Sequence, residues 1–104
     1  MVLDIGESVG AVVILTDADL DGTELEVRRL GEAWDGTHVA VRSRPTPGEP
    51  VHAAVFGQLL EGVHEFRQRP ADPLGPVHRI SVVGGGLVEL QWDARTTGRS
   101  LAAM

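Results

Sequence analysis

Residues 51–66, VHAAVFGQLLEGVHEF, decide how the rest of the chain is read. The apolar residues 51–56 make a run of strand length, followed by Gly57 and Gly62 at the two ends of a connection. From Val63 to Arg67 a period of two resumes, with His64 and Phe66 on one face and Val63 and Glu65 on the other. Two such runs around a Gly-bounded turn predict a β-hairpin. A hairpin of this kind in a short chain predicts a small antiparallel sandwich.

Working outward, the flanks repeat the same grammar. Upstream, PTPGEP (residues 45–50) carries Pro at both ends, which stops one strand and starts the next. Before it, THVAVRSR (37–44) alternates, with Val39 and Val41 inward against His38, Ala40, Arg42 and Arg44. TELEVRRL (23–30) alternates too: Leu25 and Val27 point in, Glu24, Glu26 and Arg28 point out. Trp34, in the loop between these two runs, is expected to cover an edge of the core. GAVVILT (10–16) is continuously apolar and rich in β-branched residues, as a buried central strand should be. Residues 2–9 are mixed and read as a lead-in or edge segment.

Downstream, QRPADPLGP (68–76) holds three Pro and cannot continue a ladder. Residues 77–83 and 87–92 flank Gly84-Gly85-Gly86 and predict a second hairpin. Ile80 and Val82 share one face of it, and Val88, Leu90 and Trp92 share another. The count is about seven short strands at spacings of about 8–12 residues, the pattern of sandwich domains. Residues 1–93 are expected to form one domain, and residues 94–104, polar and small, to fray.

Composition narrows the function classes. A chain of 104 residues has room for one core. Aromatic residues are only 4% of it, so Val, Leu, Ala and Ile must build that core. Thirteen Gly and six Pro suit short strands and turns better than long helices. The net charge of −6 argues against a nucleic-acid backbone and against an anionic membrane surface as partners. No apolar run approaches the roughly 20 residues that span a bilayer. The absence of Cys removes any disulfide or thiolate chemistry, and the first residues lack a signal-peptide pattern. A cytoplasmic address is the expectation.

The cadence of residues 54–66, with Phe56, Leu59, Gly62 and Phe66, followed by SVVGGGLVELQW (81–92), resembles transthyretin-like domains of the carboxypeptidase-regulatory and Cna-B kind. The chain as a whole is also similar to short uncharacterised proteins of high-GC actinobacteria. The likeness covers roughly residues 50–92. His64 stands where such domains carry Tyr, and the chain has no Lys for an isopeptide bond. What the resemblance implies is an architecture and a binding or accessory role, with no catalytic residue carried over. The expected fold is therefore an all-β, about seven-stranded antiparallel sandwich, transthyretin-like or Ig-like.

Four local patterns invite chemistry. Gly6-Glu-Ser-Val-Gly10 matches G-x-S-x-G, but the nucleophile elbow needs a strand before it and a helix after it, and residues 11–15 read as strand. The match is taken as chance, and no catalytic residue is assigned. Asp17-Ala-Asp-Leu-Asp-Gly22 matches the first half of a Ca²⁺ loop, in which alternate carboxylates reach one hard cation. The closing ligand position holds Arg28, and the flanks read as strands. Asp17, Asp19 and Asp21 are thus weak metal candidates, with a solvated Asp/Gly turn as the plainer reading. Among the four His, no pair has a ligand spacing, and His52 and His64 would sit diagonally across the expected hairpin. They are weaker candidates still for a transition metal. Arg42 and Arg44 beside Arg28 and Arg29 suggest an exposed cationic strip, more often a solvated face than an anion site.

The leading expectation is a non-catalytic interaction or accessory module that binds a protein partner, or itself as a homo-oligomer, through a sheet face or edge. The alternative is a small metal-binding β-domain using the Asp17–Asp21 loop or the His set. No cofactor is expected.

Overall fold

The computed structural model describes residues 8–72 and 74–92, and these form eight strands in two packed sheets. In chain order the strands are β1 Val9–Thr16, β2 Glu24–Arg29, β3 His38–Ala40, β4 Arg42–Arg44, β5 Val51–Leu60, β6 Gly62–Arg69, β7 Val77–Val82 and β8 Leu87–Gln91. The first sheet has the order β4-β5-β1-β8 and the second β3-β2-β6-β7. The all-β sandwich expected from the sequence is what forms. Residues 94–104, expected to fray, lie outside the described residues, as does the lead-in up to residue 7.

β1 is the central strand that its unbroken apolar run predicts. It pairs antiparallel with β5 on one side and parallel with β8 on the other. Gly10, Val12 and Ile14 point into the core. The β1–β5 register shifts between Gly10 and Val12, so that Gly57 and Gln58 together oppose Ala11. This bulge restores the inward phase. Phe56 and Leu59, three apart, are both buried. Gly57, expected to open a turn, sits inside the strand at the bulge.

Both expected hairpins are corrected. β5 and β6 are consecutive strands joined through Glu61 alone, yet they lie in different sheets. The reason is partner length: β1 needs a long neighbour along its whole edge, and β5 supplies it from Val9↔Leu60 to Thr16↔His52. β6 is then free to pair with β2. A crossing this abrupt needs a backbone that L side chains avoid, and Gly62 provides it at φ +133°. The triple-Gly connection does the same between β7 in the second sheet and β8 in the first. There the backbone packs close: a Cβ on Gly10 would lie 2.4 Å from the Val83 carbonyl oxygen.

The single strand expected over residues 37–44 is split for a related reason. β3 belongs to the second sheet and β4 to the first, and the chain changes sheet at Val41. Val41 is fully buried, its N–H donating to the Thr23 carbonyl and its own carbonyl accepting from Gly22 N–H. The true hairpins are β4–β5 around the Pro-bounded turn and the longer β6–β7 pair. Eight strands result where about seven were counted.

The core lies between the sheets. Val12, Ile14, Ala54, Phe56 and Leu59 of the first face Leu25, Val27, Phe66, Ile80 and Val82 of the second. Each large side chain buried here contributes about 1.5–3 kcal/mol. Trp92 closes one end of the core, its ring 4.2 Å from that of His78. No helix among the described residues is long and apolar enough to cross a membrane.

Candidate functional site

The two outer faces of the sandwich have opposite chemistry, and this contrast is the main functional feature of the molecule. On the second sheet, β2 and β6 pair antiparallel with Glu26 opposite Arg67 and Arg28 opposite Glu65. β7 adds Arg79 directly opposite Glu65. The ion pairs close at 2.7 Å for Glu26–Arg67, 2.7 Å for Glu65–Arg28 and 2.9 Å for Glu65–Arg79. Trp34 lies over this ladder, 3.9 Å from the Arg67 guanidinium and 4.7 Å from that of Arg28. Its expected place at the core edge is therefore corrected: a flat indole finds a better platform on two guanidinium groups. The hydrogen bonds from Arg79 and then Arg28 hold the Glu65 carboxyl below its ordinary value, against the opposing effect of burial. The centre of this face is neutralised and covered, while Val77 at its β7 edge stays exposed.

The sequence carried a signal for the ladder that alternation alone does not use. Glu26-Val-Arg28 and Glu65-Phe-Arg67 have the same pattern, and an antiparallel pairing of the two sets each Glu against an Arg.

The outer face of the first sheet is apolar, with Val51, Val55, Leu60 and Leu87 exposed, the outward residues of β1 half-buried and Ala53 buried. β1 presents Val9, Ala11, Val13 and Leu15 on it, because Val12 and Ile14 take the inward phase. β5 adds Val51, Ala53 and Val55, with Leu60 beyond the bulge, and β8 adds Leu87. Val51, Val55, Leu60 and Leu87 are among the exposed large hydrophobic side chains, Leu87 at 63%. Charge stands only at the margins. Arg42 and Arg44 of β4 border one side, and Glu89 of β8 the other. The side chains of Arg42 and Glu89 make no hydrogen bond or ion pair among the described residues. The cationic strip suggested by the sequence does not form. Arg28 is in the ladder, Arg29 donates to the Glu61 carbonyl, and Arg42 and Arg44 stand on the other sheet.

The metal candidates are placed as follows. Asp17 precedes a three-residue 3₁₀ turn, Ala18–Leu20, and Asp21 follows it, with all three carboxylate residues exposed. A 3₁₀ turn winds about 120° per residue, so carboxylates two apart diverge instead of converging. Leu20, between them, packs against the core. His52, the second residue of β5, lies at this same end, its Nε2 3.9 Å from Asp21 Oδ1, beside a surface cleft of about 490 Å³ lined also by Thr16, Asp17 and Glu49. His64 is at the opposite end, on the other sheet, across from Arg29. The diagonal placing of His52 and His64 is thus corrected, since it depended on the hairpin. Among the described residues no group of three His, Asp or Glu is arranged to hold a metal ion.

His64 is buried on the inward face of β6, its Nδ1 3.2 Å from the Gly62 carbonyl oxygen. Burial pushes its pKa below the ordinary imidazole value, partly offset by that carbonyl. It borders a cleft of about 200 Å³ with Val27, Leu59 and Asp35. Ser8, of the G-x-S-x-G match, is followed directly by β1, with its carbonyl accepting from Glu61 N–H. No helix follows it.

The two-sheet architecture with these faces defines a small β-sandwich domain. No known family model matches the chain, and no curated protein is significantly similar to it. Among solved structures it is similar to one titled "The Bacillus anthracis TIE protein", with a TM-score of 0.54 and 22% identity over 84% of this chain. The chain spans 16% of the length of that protein. At such identity the likeness is one of fold.

Proposed function

We propose that this domain is a non-catalytic interaction module, transthyretin-like or Ig-like in architecture, that binds a protein through the outer face of its first sheet. The observation that carries the reading is the asymmetry between the faces. The second sheet spends five charged side chains and a Trp on covering its centre, whereas the first leaves Val51, Val55, Leu60 and Leu87 exposed between the unpaired side chains of Arg42 and Glu89. Contiguous apolar surface of this kind marks interaction sites. The acidic net charge and the lack of Cys fit a cytoplasmic module without affinity for nucleic acid or anionic lipid.

A photo-crosslinking residue placed at Val55, in the middle of the apolar face, tests this in the native host. The control is Ser81, exposed on the outer face of the second sheet. The reading expects a protein adduct from position 55 and none from position 81. No adduct from position 55, or equal adducts from both, contradicts it.

A second reading, a small metal-binding domain, draws on the approach of His52 to Asp21. It predicts a higher melting temperature with Ca²⁺ or Zn²⁺, lost in His52→Ala.

A further inference from the structure

We infer that the occupant of the apolar face is a second copy of this chain, related to the first by a two-fold axis that lies in the interface and runs along the strands. The inference rests on the interaction reading above and goes further by naming the partner and its orientation.

The argument begins with the order of charges across the sheet. Reading from one margin to the other, the outer face runs Arg42 and Arg44 on β4, apolar β5, apolar β1, then Glu89 between Leu87 and Gln91 on β8. Two copies can meet face to face through an in-plane two-fold axis in two principal ways. An axis across the strands brings β4 onto β4 and β8 onto β8, so that Arg meets Arg and Glu meets Glu at both margins. An axis along the strands brings β4 onto β8 and β5 onto β1. The Arg margin of each copy then meets the Glu89 margin of the other, twice.

Register makes the second arrangement self-complementary in detail. Val55, Val13 and Glu89 share one row of the sheet, and Arg42, Ala53, Leu15 and Gln91 share the next. Rotation about an axis between β5 and β1 sets Val55 of one copy on Val13 of the other, and the reverse. Arg42 then lies over Gln91 and one row from Glu89, about 7 Å along the strand, within reach of an Arg side chain. The aligned packing angle of about −30° between sheets lets opposed margins slide by such a distance.

Size is sufficient for a modest association. Strands of three, ten, eight and five residues, at about 3.3 Å per residue and 4.8 Å spacing, give about 400 Å² per copy, or about 800 Å² in all. That is below the roughly 1,000 Å² of a stable interface and suits a weak, transient one. The dimer should therefore be reversible, with a Kd of about 1–100 μM, and visible as a concentration-dependent equilibrium.

Sedimentation equilibrium on the full chain, from about 1 to 500 μM, tests the proposal with three variants. Wild type should pass from monomer to dimer across that range. Val55→Glu places a charge twice in the apolar centre and should weaken the dimer at least about 100-fold. Glu89→Arg should weaken it about 5–10-fold, and Arg42→Glu combined with Glu89→Arg should restore most of that loss. Circular dichroism confirms that each variant is folded. A wild type that stays monomeric throughout overturns the dimer, as does a dimer indifferent to Val55→Glu, or a charge swap that weakens instead of restoring. If the wild type is monomeric but position 55 crosslinks to a different protein, the interaction reading stands and only the self-association falls. If it crosslinks to nothing, both fall.

Discussion

The rings of Phe56 and Phe66 meet edge to face across the core, centroids 5.1 Å apart and planes at 67°, one ring from each sheet. This contact exists because β5 and β6 separate at Glu61 instead of pairing. Phe66→Ala should lower unfolding free energy by about 3–5 kcal/mol. A double-mutant cycle with Phe56→Leu should return a coupling of about 0.5–1.5 kcal/mol, since each ring supplies the other's edge or face. Urea denaturation of the four proteins measures both.

The close passage of β1 beneath the triple-Gly crossing gives a second expectation. A methyl group at position 10 would meet the Val83 carbonyl oxygen at 2.4 Å and the buried Val82 Cγ1 at 2.9 Å, and the Val83 backbone cannot retreat cheaply. Gly10→Ala should destabilise by about 1–3 kcal/mol. Gly48→Ala, where an added methyl meets nothing within 4 Å, should change stability by less than about 0.5 kcal/mol. Comparing the two by thermal melting separates steric overlap from the general effect of replacing Gly.

Much of this architecture was legible in the sequence. Alternation located Leu25, Val27, Val39 and Val41 on inward faces and grouped Phe66 with His64 and Ile80 with Val82, and the apolar run of residues 10–16 announced the central strand. What alternation does not contain is the choice of partner. A strand that turns back within its sheet and one that crosses to the opposite sheet have the same inward and outward pattern. Residues 51–66 and 77–92 therefore read as hairpins although both cross. The split at Val41 is hidden for the same reason, because a fully buried Val continues the alternation while the chain changes sheet. The apolar outer face was half visible: Val9, Ala11, Val13 and Leu15 make the second side of β1 apolar. A strand buried on both sides and a strand facing a partner write the same letters.

Glu65 gives a pH dependence with a definite sign. Hydrogen bonds from Arg79 and Arg28 hold its folded pKa below the ordinary 4.5 of the unfolded chain. The unfolded state therefore binds the proton first as pH falls. The contribution of Glu65 is complete above about 4.5 and is lost as pH falls through the folded value. Urea midpoints measured downward from pH 5 should fall more steeply for wild type than for Glu65→Gln, which has nothing to titrate.

His64 acts in a different window with the same slope. Burial places its folded pKa below the ordinary 6.5, so the neutral ring is the one that fits the fold. Its contribution is complete above about 6.5 and falls away as acid protonates the unfolded chain more readily than the folded one. Two-dimensional NMR of the imidazole should give a midpoint below 6.5. His64→Gln should remove the corresponding slope from the stability profile.

The sharpest test of the account is an isotope-filtered NOE experiment on a mixture of ¹³C-labelled and unlabelled protein at high concentration. Val13 and Val55 are neighbours within one sheet, so only a filter that selects contacts between copies distinguishes the dimer. The account predicts cross-copy NOEs between the methyl groups of Val55 and Val13, absent in Val55→Glu. Val55 methyl groups that show contacts only within their own copy, at concentrations well above the expected Kd, would contradict it.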